Sequence, residues 1–124
     1  MEQCMGQSRP IALVVENDAT EREFASILLE ECEMDVIPCA SAEAAASVLE
    51  ACGEAPCFLF TDVSLPGVLT GADLAHIVRD RFPNMRVVVV SDERFPPPLP
   101  EGATFMPKPW VPLDLLRAAS AVTR

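Results

Sequence analysis

Cys57-Phe58-Leu59-Phe60-Thr61-Asp62-Val63-Ser64-Leu65-Pro66-Gly67 is the stretch on which the fold turns. Cys57 to Thr61 is an apolar run of strand length, and it ends directly on an acidic residue. Pro66 and Gly67 then mark a loop. A strand with no polar alternation is buried on both faces, as in parallel sheets covered by helices.

The same grammar repeats on either side. Upstream, Ile11 to Val15 reads as a β-branched buried strand ending on Glu16-Asn17-Asp18. Asp18 offers an N-cap with Glu21 three residues on, a variant of the capping box. Ala25, Leu28, Leu29 and Cys32 then recur at helical period. Asp35 to Cys39 is a second short strand, and Ser41 caps a helix with Ala45, Val48, Leu49 and Cys52 on its inner face. Downstream, Thr70 and Asp73 cap a third helix with Leu74, Ile77, Val78 and Phe82 facing in. Arg86 to Val90 is a fourth strand, Ala103 to Met106 a fifth. Pro112 suits the first turn of a last helix carrying Leu115, Leu116, Ala119 and Val122.

Strand and helix alternate except between strands four and five. There Pro96, Pro97, Pro98 and Pro100 deny the segment a helical ladder and predict a proline-rich loop. The pattern is α/β: a five-stranded parallel, doubly wound sheet with its fourth helix replaced by that loop.

The 124 residues make one domain, with Met1 to Pro10 as a flexible leader and residues 11–124 as the folded unit. The leader lacks the layout of a signal peptide, and no apolar run reaches the roughly 20 residues of a membrane span, so a cytoplasmic location is expected. Nine basic against nineteen acidic residues, a net charge of −10, speak against a nucleic-acid partner. The five cysteines have no metal-like spacing. Cys32, Cys52 and Cys57 read as small buried hydrophobes.

Ligands of open parallel sheets bind beyond the carboxyl ends of the strands. Those ends carry Glu16-Asn17-Asp18, Asp62, Ser91 and, after strand five, Lys108. Carboxylate and amide oxygens beside a lysine and a hydroxyl suit Mg²⁺-assisted phosphoryl transfer. No glycine-rich phosphate loop follows strand one, which argues against a small nucleotide-dependent enzyme.

In this order, Val14-Val15-Glu16-Asn17, Asp62-Val-Ser-Leu-Pro-Gly67, Ser91 and Lys108-Pro109-Trp110 resemble a response-regulator receiver domain, over Ile11 to Thr123. The resemblance implies the flavodoxin-like strand order 2-1-3-4-5. It also implies Asp62 as phospho-acceptor, with Lys108 and Ser91 contacting the phosphoryl group. Glu16, Asn17, Asp62 and the Ser64 backbone carbonyl would hold Mg²⁺, while Ser91 and Phe105 would form the switch.

A stand-alone receiver of this kind is not an enzyme beyond its own phosphotransfer and dephosphorylation. Its partners would be a sensor histidine kinase or histidine phosphotransfer protein and an unidentified output protein, and a homodimer is compatible with it. Two departures stand out. Asn17 replaces the usual aspartate, removing a charge from the metal site, and the loop Gly67-Val-Leu-Thr-Gly71 is slightly longer than the family's common form. The alternative is a pseudo-receiver, an interaction module never phosphorylated because of Asn17. Phe95 and Trp110 flank the proline-rich segment, either closing the core or anchoring a partner. His76, the single histidine, reads as a surface or boundary residue.

Overall fold

The computed structural model describes residues 9–123. Its elements are β1 (Ile11–Val15), α1 (Ala19–Glu31), β2 (Asp35–Cys39), α2 (Ala42–Ala51), β3 (Phe58–Asp62), α3 (Gly71–Arg81), β4 (Arg86–Ser91), β5 (Thr104–Pro107) and α4 (Pro112–Thr123). All five strands are parallel, in the order β2-β1-β3-β4-β5. The order and the missing crossover helix agree with expectation. Asp62 and Ser91 are the last residues of their strands, as expected at the strand ends.

The central strands alternate by burying different residues on each face. Leu13, Val15, Leu59, Val87 and Val89 pack on one side against Ala45 and Leu49 of α2 and Leu74 and Val78 of α3. Ala12, Val14, Phe58, Phe60, Val88 and Val90 pack on the other against Ala25 and Leu29 of α1 and Leu115 and Ala119 of α4. Each large side chain so buried contributes about 1.5–3 kcal/mol. Edge strand β2 is half exposed and tolerates Pro38, as an edge can.

Several smaller expectations are corrected. Among the described residues Cys39 is the buried cysteine; Cys32, Cys52 and Cys57 are only half-buried, because they fall at helix ends and a strand entry. Cys4 lies outside the described residues, as does the predicted leader apart from Arg9 and Pro10; the Pro10 carbonyl accepts from Asp35 N at 2.9 Å. Ala118 is buried on α4 where Leu116 was expected, and Leu116 is half-buried.

α1 ends in a Schellman turn. Glu33 N donates to Glu30 O at 3.0 Å and Met34 N to Leu29 O at 3.2 Å, with Glu33 at φ 68°. Glycine usually takes that position; here the buried Met34 that follows holds the turn closed.

The β4–β5 connection leaves Ser91 and reaches Thr104 without a helix. Leu99 and Ala103 pack onto the α3-side core in its place. α3 also grips the loop: His76 Nε2 donates to Pro98 O at 3.0 Å, and Arg79 Nε to Glu101 O at 3.1 Å. His76 is thus an exposed residue with a structural bond, consistent with a boundary position. No helix among the described residues is long and apolar enough to cross a membrane.

Candidate functional site

The carboxyl ends of β1, β3, β4 and β5 converge on one polar cluster. Asp62, at the end of β3, is buried with 5% of its surface exposed. One of its oxygens, Oδ1, accepts from Ser64 N at 2.9 Å, closing a tight turn. The other, Oδ2, accepts from Nζ of Lys108. Lys108 is held in place by its own main chain, whose N–H donates to Ser91 O at 2.8 Å. The Lys108–Pro109 peptide bond is cis.

Glu16 is the second buried carboxylate. Its Oε2 accepts from Asp18 N at 2.9 Å, and its Oε1 lies 3.4 Å from Lys108 Nζ. Burial pushes its pKa up, the Asp18 amide works against that, and neighbouring Asp62 adds to the rise, giving about 7. For Lys108 burial works against the ammonium, but Asp62, Glu16 and Glu21 outweigh it and hold its pKa above the ordinary value. Arg22 braces the turn from α1, donating to Glu16 O at 2.8 Å and Asn17 O at 3.3 Å.

Ser91 is buried, and its Oγ accepts from Glu93 N at 2.9 Å. That leaves its hydroxyl hydrogen to donate. A cleft of about 530 Å³ opens beside the cluster, lined by Asn17, Ser64, Pro66, Thr70, Glu93 and Pro97 among others. Asn17 and Ser64 therefore line one cleft, with Val63 and Glu93 from just beyond the ends of β3 and β4. Phe105 is half-buried on edge strand β5 and is not among the side chains packed on either core cluster. Trp110 closes the core: it stacks on Phe24 at 5.5 Å and meets Phe60 edge-on at 5.4 Å. Phe95 stands apart from it, 83% exposed.

Four residues have roles here that their sequence positions did not mark. Glu21 was expected to close a capping box, yet its carboxylate lies 3.2 Å from Lys108 Nζ. Glu43, in the first turn of α2, reaches the β3–α3 loop, where its Oε2 accepts from Val68 N and Leu69 N, both at 2.8 Å. Gly67 permits this twice over: its φ is 97°, and a Cβ there would sit 2.6 Å from Glu43 Oε1. Gly71 lets α3 start against the end of β3, since a Cβ on it would meet Asp62 O at 1.7 Å.

Asn17, the Ser64 carbonyl, Asp62 and Glu16 offer hard oxygen donors. Magnesium is commonly bound through one or two carboxylates, several waters and substrate phosphate oxygens, so this set fits it. The set is nonetheless lean. Among the described residues no group of three or more His, Cys, Asp or Glu side chains is placed to hold a metal ion. Asp18, close in sequence, is committed elsewhere: its Oδ1 caps α1 through Glu21 N at 2.9 Å.

No family model matches the sequence, and no curated protein matches it. Solved structures do. A response regulator receiver protein from Sinorhizobium medicae has 20% identity and a TM-score of 0.79, over 93% of this chain and 94% of that one. The signal receiver domain of an HD domain-containing protein from Pseudomonas fluorescens has 20% identity and a TM-score of 0.77, over 92% and 94%. The receiver domain of the hybrid histidine kinase CckA has 26% identity and a TM-score of 0.73, over 92% and 99%. The fold of this chain is that of response-regulator receiver domains.

Proposed function

We propose that this receiver-fold chain accepts a phosphoryl group on Asp62. The observation that carries the reading is the Lys108 ammonium set on the Asp62 carboxylate, joining the ends of β3 and β5 with Ser91 at the end of β4 beside them.

In this reading an Asp62 oxygen attacks the phosphorus of a phosphohistidine on a sensor kinase or transfer protein. The new O–P bond forms as the N–P bond breaks, and the electron pair returns to the imidazole, which takes a proton from water. Lys108 meets the charge on the transferring oxygens, and the Ser91 hydroxyl donates to another. Asn17, Asp62 and the Ser64 carbonyl would hold Mg²⁺, with Glu16 assisting. When bound, the ion would neutralise charge between carboxylate and phosphate. The phosphoryl group adds about −1.5 to −2 charges. Ser91, drawn toward it, would leave room beside Phe105, the expected switch pair. Output would pass to a protein partner, or the domain would act as a phosphate shuttle or sink, without catalysis beyond its own phosphotransfer.

A second reading, an interaction module that is never phosphorylated, is favoured by one observation, the lean donor set around Asn17. Intact mass after acetyl phosphate and Mg²⁺ separates the two. One added phosphoryl mass, abolished by Asp62→Asn, supports the acceptor; an unchanged wild-type mass on a folded chain supports the module.

A further inference from the structure

An ammonium group carries three N–H donors. Three carboxylates crowd the one on Lys108: Asp62, Glu16 at 3.4 Å and Glu21 at 3.2 Å. They are not equivalent. The Asp62 and Glu16 side chains are 7% and 4% exposed, and each is fixed by a main-chain amide. The Glu21 side chain is 43% exposed and stands on the solvent side.

The helix cap explains why Glu21 is available. In a capping box the acid three residues into the helix reaches back to the N-cap amide. For α1 that amide belongs to Asp18, and Glu16 Oε2 already holds it at 2.9 Å. Glu21 would have to compete for it, and its side chain turns to Lys108 instead. α3 shows the contrast: the Thr70 amide is not otherwise held, and Asp73 Oδ2 closes the box on it at 3.0 Å.

We propose that Glu21 is a displaceable counter-ion of Lys108, holding the ammonium while Asp62 is bare and yielding it to an incoming phosphoryl oxygen. This rests on the reading of Asp62 as acceptor. A phosphoryl oxygen reaching Nζ must take the place of one carboxylate. Asp62 is the group being joined to the phosphorus. Moving Glu16 away would leave a buried group without its cation, which is costly. Glu21, with 43% of its side chain exposed, need only swing into water, which costs less than moving either buried carboxylate. Until it swings, its charge also faces the anionic donor at the mouth of the site. Glu21 thus acts as a brake on loading, a positioning residue acting through Lys108.

The test is Glu21→Gln in the full chain, with Glu30→Gln as a control that removes the same charge from an exposed position of the same helix. With acetyl phosphate and Mg²⁺, Glu21→Gln should load Asp62 about two- to fivefold faster than wild type. The advantage should shrink as salt rises, and Glu30→Gln should load at the wild-type rate. A second readout needs no phosphorylation. The Lys108 ammonium signal, followed by ¹H–¹⁵N spectroscopy at fixed pH, should exchange with water faster in Glu21→Gln than in wild type. Faster loading together with faster exchange supports the proposal. A wild-type chain that loads while Glu21→Gln changes neither rate nor signal overturns the displacement alone, as does an equal effect from Glu30→Gln. A wild-type chain that takes no phosphoryl group overturns the acceptor reading, and the displacement with it.

Discussion

The connections that leave β3 and β4 are both tied down by a neighbouring helix, through opposite chemistry. The β3–α3 loop presents N–H groups, and a carboxylate takes them: Glu43 of α2 accepts from Val68 N and Leu69 N. The β4–β5 connection carries Pro96, Pro97, Pro98 and Pro100, which have no N–H, so what it presents is carbonyls. Donors of α3 take those: His76 binds Pro98 O and Arg79 binds Glu101 O. A carboxylate can only accept and a guanidinium can only donate. The polarity a loop leaves over therefore dictates the anchor. One consequence concerns the loop after Asp62, whose Val68 and Leu69 amides Glu43 satisfies. The other concerns the lost helix, whose covering role passes to Leu99 and its capacity for hydrogen bonds to His76 and Arg79.

The comparison breaks most severely at Gly71, where the β3–α3 loop ends. An alanine inside a helix is ordinarily favourable by up to about 1 kcal/mol over glycine. Here its Cβ would fall 1.7 Å from Asp62 O. Gly71→Ala should therefore lose about 3 kcal/mol or more in urea unfolding, and it should displace Asp62 as well. Arg79 comes next. Besides Glu101 O, it donates to Pro83 O at 2.7 Å and Met85 O at 3.1 Å, so one side chain ties two loops. Arg79→Ala should cost about 2 kcal/mol, with hydrogen exchange rising at the Ala103 amide, which donates to Pro100 O. Arg79→Lys should recover only part, because an ammonium lacks the planar fork that reaches three carbonyls.

Acid separates the two moorings with the smallest effect. The Leu69 amide, then other main-chain donors including Val68, holds the Glu43 pKa below its ordinary 4.5. Its contribution is present above that value and is lost as pH falls through the lowered pKa. Protection of the Val68 and Leu69 amides should drop on acidification below about pH 4.5. That of the Ala103 amide, in the connection that Arg79 holds, should not follow it. Glu16 behaves in the opposite sense, with its pKa raised from 4.5 to about 7. Its contribution is fully present below 4.5 and is lost as pH rises through about 7. Glu16→Gln should flatten a decline of stability over that window, measured by denaturant titration at several pH values.

Much of this arrangement was legible because it is written locally. Apolar runs ending on polar residues marked the strands and placed Asp62 and Ser91 at their ends. The prolines announced the missing helix, and the resemblance carried by the four strand-end motifs together supplied the strand order. What stayed hidden depends on packing. Glu43 lies 25 and 26 positions from the amides it holds. Glu21 has the spacing of a capping box and is diverted only because Glu16 reaches the cap first. The half-buried cysteines show the same limit from the other side, since an apolar neighbourhood in sequence does not say which side of a helix end faces the core.

The account stands on Asp62 as the acceptor, and the most direct measurement is to find the modified atom. After acetyl phosphate and Mg²⁺, borohydride reduces an acyl phosphate of aspartate to homoserine, and peptide mass spectrometry locates it. The account predicts homoserine at position 62 and nowhere else. Reduction at another carboxylate, such as Glu16 or Asp18, or no reduction anywhere on a folded chain, would contradict it.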